Sequence, residues 1–228
     1  MQYLPAKIEL RTNLNDPMIK AVAHGHKVNG LPLCTPSMYA DIALTVGRYL
    51  QSMFPEPLRS KQVSITNMTI MKALVAVPKE SQWLQTIVTV DEDFTAVCAF
   101  STLNEDGEII IQHAKCGIAY SPTMSGEDIK MEHDEIGGVI EAVKKTQASG
   151  AAYRFNTNMI YRMVATLADF DTAYRGLKEI VLDSTTMMAT GIVDFRSLSN
   201  RRGSAKLRRV SSLPRLLHSV SWVCHECE

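Results

Sequence analysis

Apolar positions change period along this chain of 228 residues, and each change marks an element. Residues 1–33 hold no sustained period and read as an irregular or extended lead-in. From there Met38, Ile42, Thr45, Val46 and Tyr49 recur at helical spacing as far as Leu50. Thr35 suits the N-cap of that helix and Pro36 its first position, where a missing N–H costs nothing. The run Phe54-Pro55-Glu56-Pro57 ends it.

The period then shortens to two. A strand begins at residues 63–66, and residues 70–77 form a near-continuous apolar run read as a second strand. A third covers 83–90. In 94–101, Phe94, Ala96, Cys98 and Phe100 fall on one face. Asn104-Glu105-Asp106-Gly107 signals a turn, and a further strand runs from Ile109 to about Tyr120. One helix followed by a run of antiparallel strands is an α+β pattern, the outline of a hotdog unit in which a sheet wraps a helix.

Residues 121–128 are polar and turn-rich. Ile136, Val139, Ile140 and Val143 then mark an amphipathic helix ending near Ser149-Gly150, a connector between halves. Residues 153–168 read as a helix whose Met159 and Met163, with Ile160, Val164 and Leu167, form a core stripe. Residues 180–182 and 189–195 read as two more strands. The division is therefore a first hotdog over 1–120, a connector over 121–150, a partial second hotdog over 151–196 and a tail over 197–228.

Composition narrows the chemistry. The chain is 46% hydrophobic and 21% charged with a formal net charge of zero, so nothing overall draws it to nucleic acid or to a membrane surface. No run reaches the ~18 apolar residues of a membrane span, and the first residues lack the basic-then-apolar pattern of a secretory signal. Cys34, Cys98, Cys116, Cys224 and Cys227 are an odd, scattered set. They read as reduced thiols in a cytoplasmic protein. Between residues 196 and 215 lie seven basic residues and no acidic one, with no regular period. This tail reads as a solvated, disordered end, and RNA or acid binding through it is the weakest functional reading. Cys224-His225-Glu226-Cys227 has the CxxC spacing of zinc and redox sites but no second ligand pair, and no phosphate-cradling glycine loop exists. No metal or cofactor is expected.

His26 is the candidate catalytic residue. It sits in His24-Gly25-His26-Lys27-Val28-Asn29-Gly30-Leu31-Pro32-Leu33-Cys34, a tight loop leading to the mouth of the apolar helix. An imidazole titrates near pH 6.5, which suits a base at cellular pH. Taken alone, a histidine so placed is more often structural. His24 reads as a loop residue, since no third ligand follows at metal spacing. Cys34 reads as a small buried side chain rather than a nucleophile.

The same run, with Cys34-Thr35-Pro36-Ser37 and Tyr39-Ala40-Asp41-Ile42-Ala43-Leu44-Thr45, resembles the product template domain of fungal non-reducing polyketide synthases. Tyr153-Arg154-Phe155-Asn156, Tyr174-Arg175-Gly176-Leu177-Lys178-Glu179 and Val181-Leu182-Asp183-Ser184 agree with it, and the likeness covers roughly residues 5 to 196. The resemblance implies a dehydratase-like double hotdog. It also implies a carrier-tethered poly-β-keto chain as substrate, regioselective aldol cyclisation with aromatisation, and other synthase domains as partners; a homodimer is left open. His26 matches the family's base. The family's partner aspartate lies beyond the strand ending at Phe195, in a Tyr/Trp-Ile-Asp-Ser-Leu segment that is absent here. Asp169, Asp171, Asp183 and Asp194 lie outside that motif and are not assigned its role.

The ending Trp222-Val223-Cys224-His225-Glu226-Cys227-Glu228 can be encoded so that a reading one base later gives Gly-Phe-Val-Met-Asn-Ala. The family carries that run in its second hotdog helix. The expectation is a change of frame between about residues 195 and 206, an incomplete second hotdog and an uncovered apolar face on strands 180–195. Two functions follow from it: a cyclase domain using His26, or a non-catalytic remnant able at most to bind.

Overall fold

The computed structural model describes residues 6–77, 82–194 and 221–222. The chain divides into two compact units, 1–123 and 124–228.

The first unit opens with strand β1 (Ala6–Asn13), helix α1 (Pro17–Ala23) and the short strands β2 (His26–Val28) and β3 (Leu31–Pro32). The lead-in is extended over these strands, as the sequence allowed, but it also holds helix α1, which was not expected. α1 is two turns long, too short to display an apolar period. Helix α2 (Pro36–Met53) follows, then the single turn α3 (Glu56–Arg59). α2 starts where Pro36 predicts and stops where Phe54 turns extended ahead of Pro55. Thr35 occupies the N-cap but makes no capping hydrogen bond from its side chain. Its hydroxyl lies 2.6 Å from that of Ser37.

Strands β4 (Gln62–Ile70), β5 (Trp83–Val90), β6 (Ala96–Leu103) and β7 (Ile109–Ser121) complete the unit. With β1 they form an antiparallel sheet in the order β1-β5-β6-β7-β4. Alternation does the work that the sequence promised. Ala96, Cys98 and Phe100 face inward and are fully buried, while Val97 between them is half exposed. Their face meets Tyr39, Ala43, Val46 and Leu50 of α2 in one core. α2 comes close to the sheet at Gly47, where a Cβ would lie 2.8 Å from both Ile118 and Val63. Phe94 is in the turn before β6, not in the strand, and at φ +61° its ring packs edge-on against Phe54. Residues 71–77 are the larger departure. They form no strand beyond one bridge between Val75 and Leu33. A continuous apolar run does not separate a strand from a buried irregular segment.

The second unit begins with helix α4 (Gly126–Ala148), ten residues earlier than its apolar stripe. Ser125 and Asp128 close a reciprocal capping box at its start. Next come β8 (Ala152–Asn156), helix α5 (Thr157–Val164), the short strand β9 (Asp169–Phe170) and a 3-10 turn at Thr172–Tyr174. The single helix expected over 153–168 is therefore a strand followed by a helix. Asn156 divides them, because its side chain accepts a hydrogen bond from the Met159 N–H and caps α5. Strands β10 (Leu177–Asp183) and β11 (Met188–Val193) pair antiparallel, with β8 on the other side of β10. Strand β12 (Ser221–Trp222) pairs parallel with β11 at Thr190 and Gly191. α4 packs on this sheet, and Val143, Ala152 and Val181 form its buried cluster. The helix expected as a connector thus packs on this sheet, while Tyr153 and Ile192 of its strands remain exposed. The Met159 and Met163 stripe is not core: Ile160 is buried, whereas Met159, Met163 and Leu167 are exposed. Apart from Ser221–Trp222, the tail expected over 197–228 lies outside the described residues, as do Cys224 and Cys227.

Candidate active site

His26 is the first residue of β2, and its side chain is partly buried. β2 and β3 form a hairpin in which Val28 pairs with Leu31. The two loop residues, Asn29 and Gly30, have φ of +50° and +77°. Two left-handed residues are what a type I′ turn requires, and Asn-Gly is the sequence that adopts it most readily. The hairpin closes below the imidazole, where the Leu33 N–H donates to the His26 carbonyl at 3.0 Å. β3 then leads through Cys34 and Thr35 into α2. A tight turn on one side and a helix entry on the other therefore fix the backbone of His26.

A segment far along the chain grips the hairpin from outside. Cys34 N–H donates to the Leu74 carbonyl at 2.9 Å, and Ala76 N–H to the Pro32 carbonyl at 2.9 Å. Leu74 and Ala76 are 2% and 1% exposed, so the grip is dry and its hydrogen bonds are not in competition with water. Sequence reasoning took this segment for a strand and missed its hold on the hairpin, which only pairings across some forty residues reveal.

The neighbouring candidates take ordinary roles. Burial pushes the Cys34 thiol up to about 12, so a thiolate is scarce at neutral pH and nucleophilic use is disfavoured. Tyr39, 1% exposed, stacks against Phe100 with ring centroids 4.8 Å apart. Its phenol is likewise held well above its usual range by burial. His24 closes α1, its N–H donating to the Lys20 carbonyl. No group of three or more metal-ligating side chains forms among the described residues.

The four aspartates set aside earlier all lie in the second unit. Asp183 is 3% exposed, and its carboxylate accepts from the N–H groups of Thr185 and Thr186 at 2.8 and 3.2 Å. Those bonds, the Thr185 one foremost, hold its pKa below the usual carboxylate range and shape the turn between β10 and β11. Asp194 lies 3.9 Å from the Lys178 ammonium, and Asp169 lies 3.7 Å from Arg175. Asp171 is the N-cap of the 3-10 turn. A shallow cleft of about 260 Å³ in this unit is lined by Thr157, Tyr161, Arg162 and Arg175.

No helix among the described residues is long and apolar enough to cross a membrane. No family model matches the chain. The non-reducing polyketide synthase CTB1 of Cercospora beticola is 40% identical to it over 191 residues, which are 81% of this chain and 8% of that protein. A non-reducing polyketide synthase of Byssochlamys spectabilis is 34% identical over 196 residues, 85% of this chain and 9% of its own length. The chain thus spans less than a tenth of the length of these curated relatives. Among solved structures, the dehydratase domain from the CurF module of curacin polyketide synthase superposes with a TM-score of 0.60 at 17% identity, covering 86% of this chain and 63% of that one. The dehydratase domain of PpsC from Mycobacterium tuberculosis gives 0.61 at 15% identity, covering 87% and 61%. At such identities the likeness is one of fold. With the helix-wrapping sheet it shows that the chain has the hotdog fold of polyketide synthase dehydratases, and the sequence identities show that it is homologous to one segment of the fungal non-reducing polyketide synthases.

Proposed function

We propose that the chain is the part of a product template domain that carries the catalytic base, and that His26 is that base. The observation that carries this reading is the placement of His26 on a rigid hairpin at the entry to the hotdog helix. The chain that holds it is 30–40% identical to a segment of fungal non-reducing polyketide synthases. The substrate on this reading is a poly-β-keto chain tethered to an acyl carrier. A neutral imidazole takes the proton from a carbon flanked by two carbonyls. The resulting enolate carbon bonds to a distant carbonyl carbon, whose oxygen takes up a proton. Loss of water then aromatises the ring. The carrier and the remaining synthase domains are the partners, in the cytoplasm.

The second reading, a remnant without cyclase activity, draws on the second unit. Its buried cluster is small, and its aspartates are engaged in turns and ion pairs. Complementation separates the two. A synthase lacking its own product template domain is supplied with this chain, or with a version read in the alternative frame after about residue 195. The expected result is a mixture of spontaneous cyclisation products from the first. The second should yield one dominant aromatic product, lost in His26→Ala. General acid–base groups contribute roughly 10²–10⁴-fold. A single His26-dependent product from the chain as it stands would instead show that its own residues complete the site. Mixed products in every case would leave the remnant reading.

A further inference from the structure

Segment 71–77 has little regular structure, yet it is held at both ends by side chains that take no part in the proposed chemistry. At one end stands His113 of β7, 2% exposed. Its carbonyl accepts from the N–H groups of Met71 and Lys72 at 2.8 and 3.2 Å. Its Nδ1 lies 3.1 Å from the Lys72 carbonyl, and its Nε2 lies 3.1 Å from the Thr102 hydroxyl on β6. A carbonyl can only accept, so Nδ1 carries the proton and the neutral ring's Nε2 accepts from Thr102. Burial lowers the pKa of this imidazole and favours that neutral tautomer. At the other end stands Gln82, ahead of β5. Its Oε1 accepts from the Val77 N–H at 2.9 Å, and its Nε2 donates to the Val75 carbonyl at 2.9 Å. The Gln82 carbonyl also accepts from the Leu14 N–H at 2.9 Å, which ties this end to the turn after β1.

Between these two anchors the segment makes its three contacts with the hairpin: Leu74 to Cys34, Val75 to Leu33, and Ala76 to Pro32. Leu33 in turn donates to the carbonyl of His26 itself. The path from His113 or Gln82 to the backbone of His26 thus runs through hydrogen bonds joined by short stretches of chain, exposed at residues 71–73 and buried at Leu74 and Ala76. We infer that His113 and Gln82 are positioning residues for His26, acting through segment 71–77 on the hairpin that carries it. This rests on the cyclase reading for its consequence in catalysis, since displacement of a catalytic group by about 1 Å costs up to ~10²-fold. The displacement itself can be observed without turnover.

The test follows the imidazole of His26 by NMR in the full chain labelled at histidine, its resonance assigned by its loss in His26→Gln. Expected in His113→Leu and in Gln82→Ala are a displaced His26 Cε1–H resonance and a changed titration midpoint. His133, on the exposed surface of α4, serves as the internal reference and should not move. In His113→Asn the side-chain amide overlays Nδ1 and restores the donor to the Lys72 carbonyl, so the His26 signal should return towards its native position. Gln82 is only partly buried, so its variant decides the matter if His113→Leu does not fold. An unchanged His26 signal in folded variants would overturn the inference. So would equal shifts at His26 and His133, or a failure of His113→Asn to restore the signal. If complementation fails while these shifts appear, the cyclase reading falls and the positioning path stands.

Discussion

The two units use the same materials and reach very different packing. In the first, α2 presents Tyr39, Ala43, Val46 and Leu50 to a sheet whose inward positions are mostly apolar, Thr86 and Thr102 excepted, and one core runs from Leu14 to Ile118. In the second, α4 is longer than α2, yet Val143 is its sole buried residue, and it meets little more than Ala152 and Val181. Ile129 and Met131, near the start of α4, are exposed. Helix length does not make a core. What differs is the breadth of sheet available: five antiparallel strands around α2, against three antiparallel strands and the short β12 beside α4. Stability rises with apolar area removed from water, so the first unit should carry most of it.

Truncations in the two cores should widen that contrast. Phe100→Ala removes a fully buried ring stacked on Tyr39 and should cost about 3–5 kcal/mol, read from the denaturant midpoint. Val181→Ala, buried in the small cluster, should cost about 1–2 kcal/mol. Equal losses would mean that the second unit is as tightly built as the first. Next in size is Gly47→Ala. The new methyl must displace two branched, buried side chains at 2.8 Å, for a loss of about 1–3 kcal/mol, where an exposed helical glycine would gain from the same change.

Acid should act on the first unit through His113. Its folded-state pKa is lowered by burial, so the unfolded chain binds its proton more readily. The stabilisation is present above the unfolded value of about 6.5 and is lost as the pH falls below it. Urea midpoints compared at neutral and mildly acidic pH should show this loss, and His113→Asn should diminish it. The smallest effect is expected at Met159, exposed on α5. Met159→Gln should change stability by no more than about 0.5 kcal/mol. A larger loss would restore the methionine stripe to a core.

Local chemistry was legible wherever a single residue dictates it. Pro36 and Pro55 bound α2, the Asn104–Gly107 turn separates two strands, and Asn29-Gly30 carried a hairpin signal that could have been read. His26 stood out as a candidate because the loop around it resembles a family motif, and the structure places it at the start of β2. Periodicity failed where it is degenerate. In the run at 70–77, Ile70 ends β4 and Leu74 and Ala76 are buried without forming a strand, and β8 resembled a helix although Asn156 ends it and caps α5.

By itself, then, the sequence determined which segments are helix and strand where proline, glycine or strict alternation leaves one low-energy backbone, and it determined the sheet-wrapped helix that follows from them. The tertiary structure alone decided that residues 71–77 reach back to Pro32, Leu33 and Cys34, and that His113 and Gln82 hold them there. It alone decided that α4 covers its sheet with a single buried valine. The physical reason is common to both. Contacts such as Cys34 with Leu74 and Val143 with Val181 join residues far apart in the chain; they depend on how elements stack in space, and no local propensity or period encodes them.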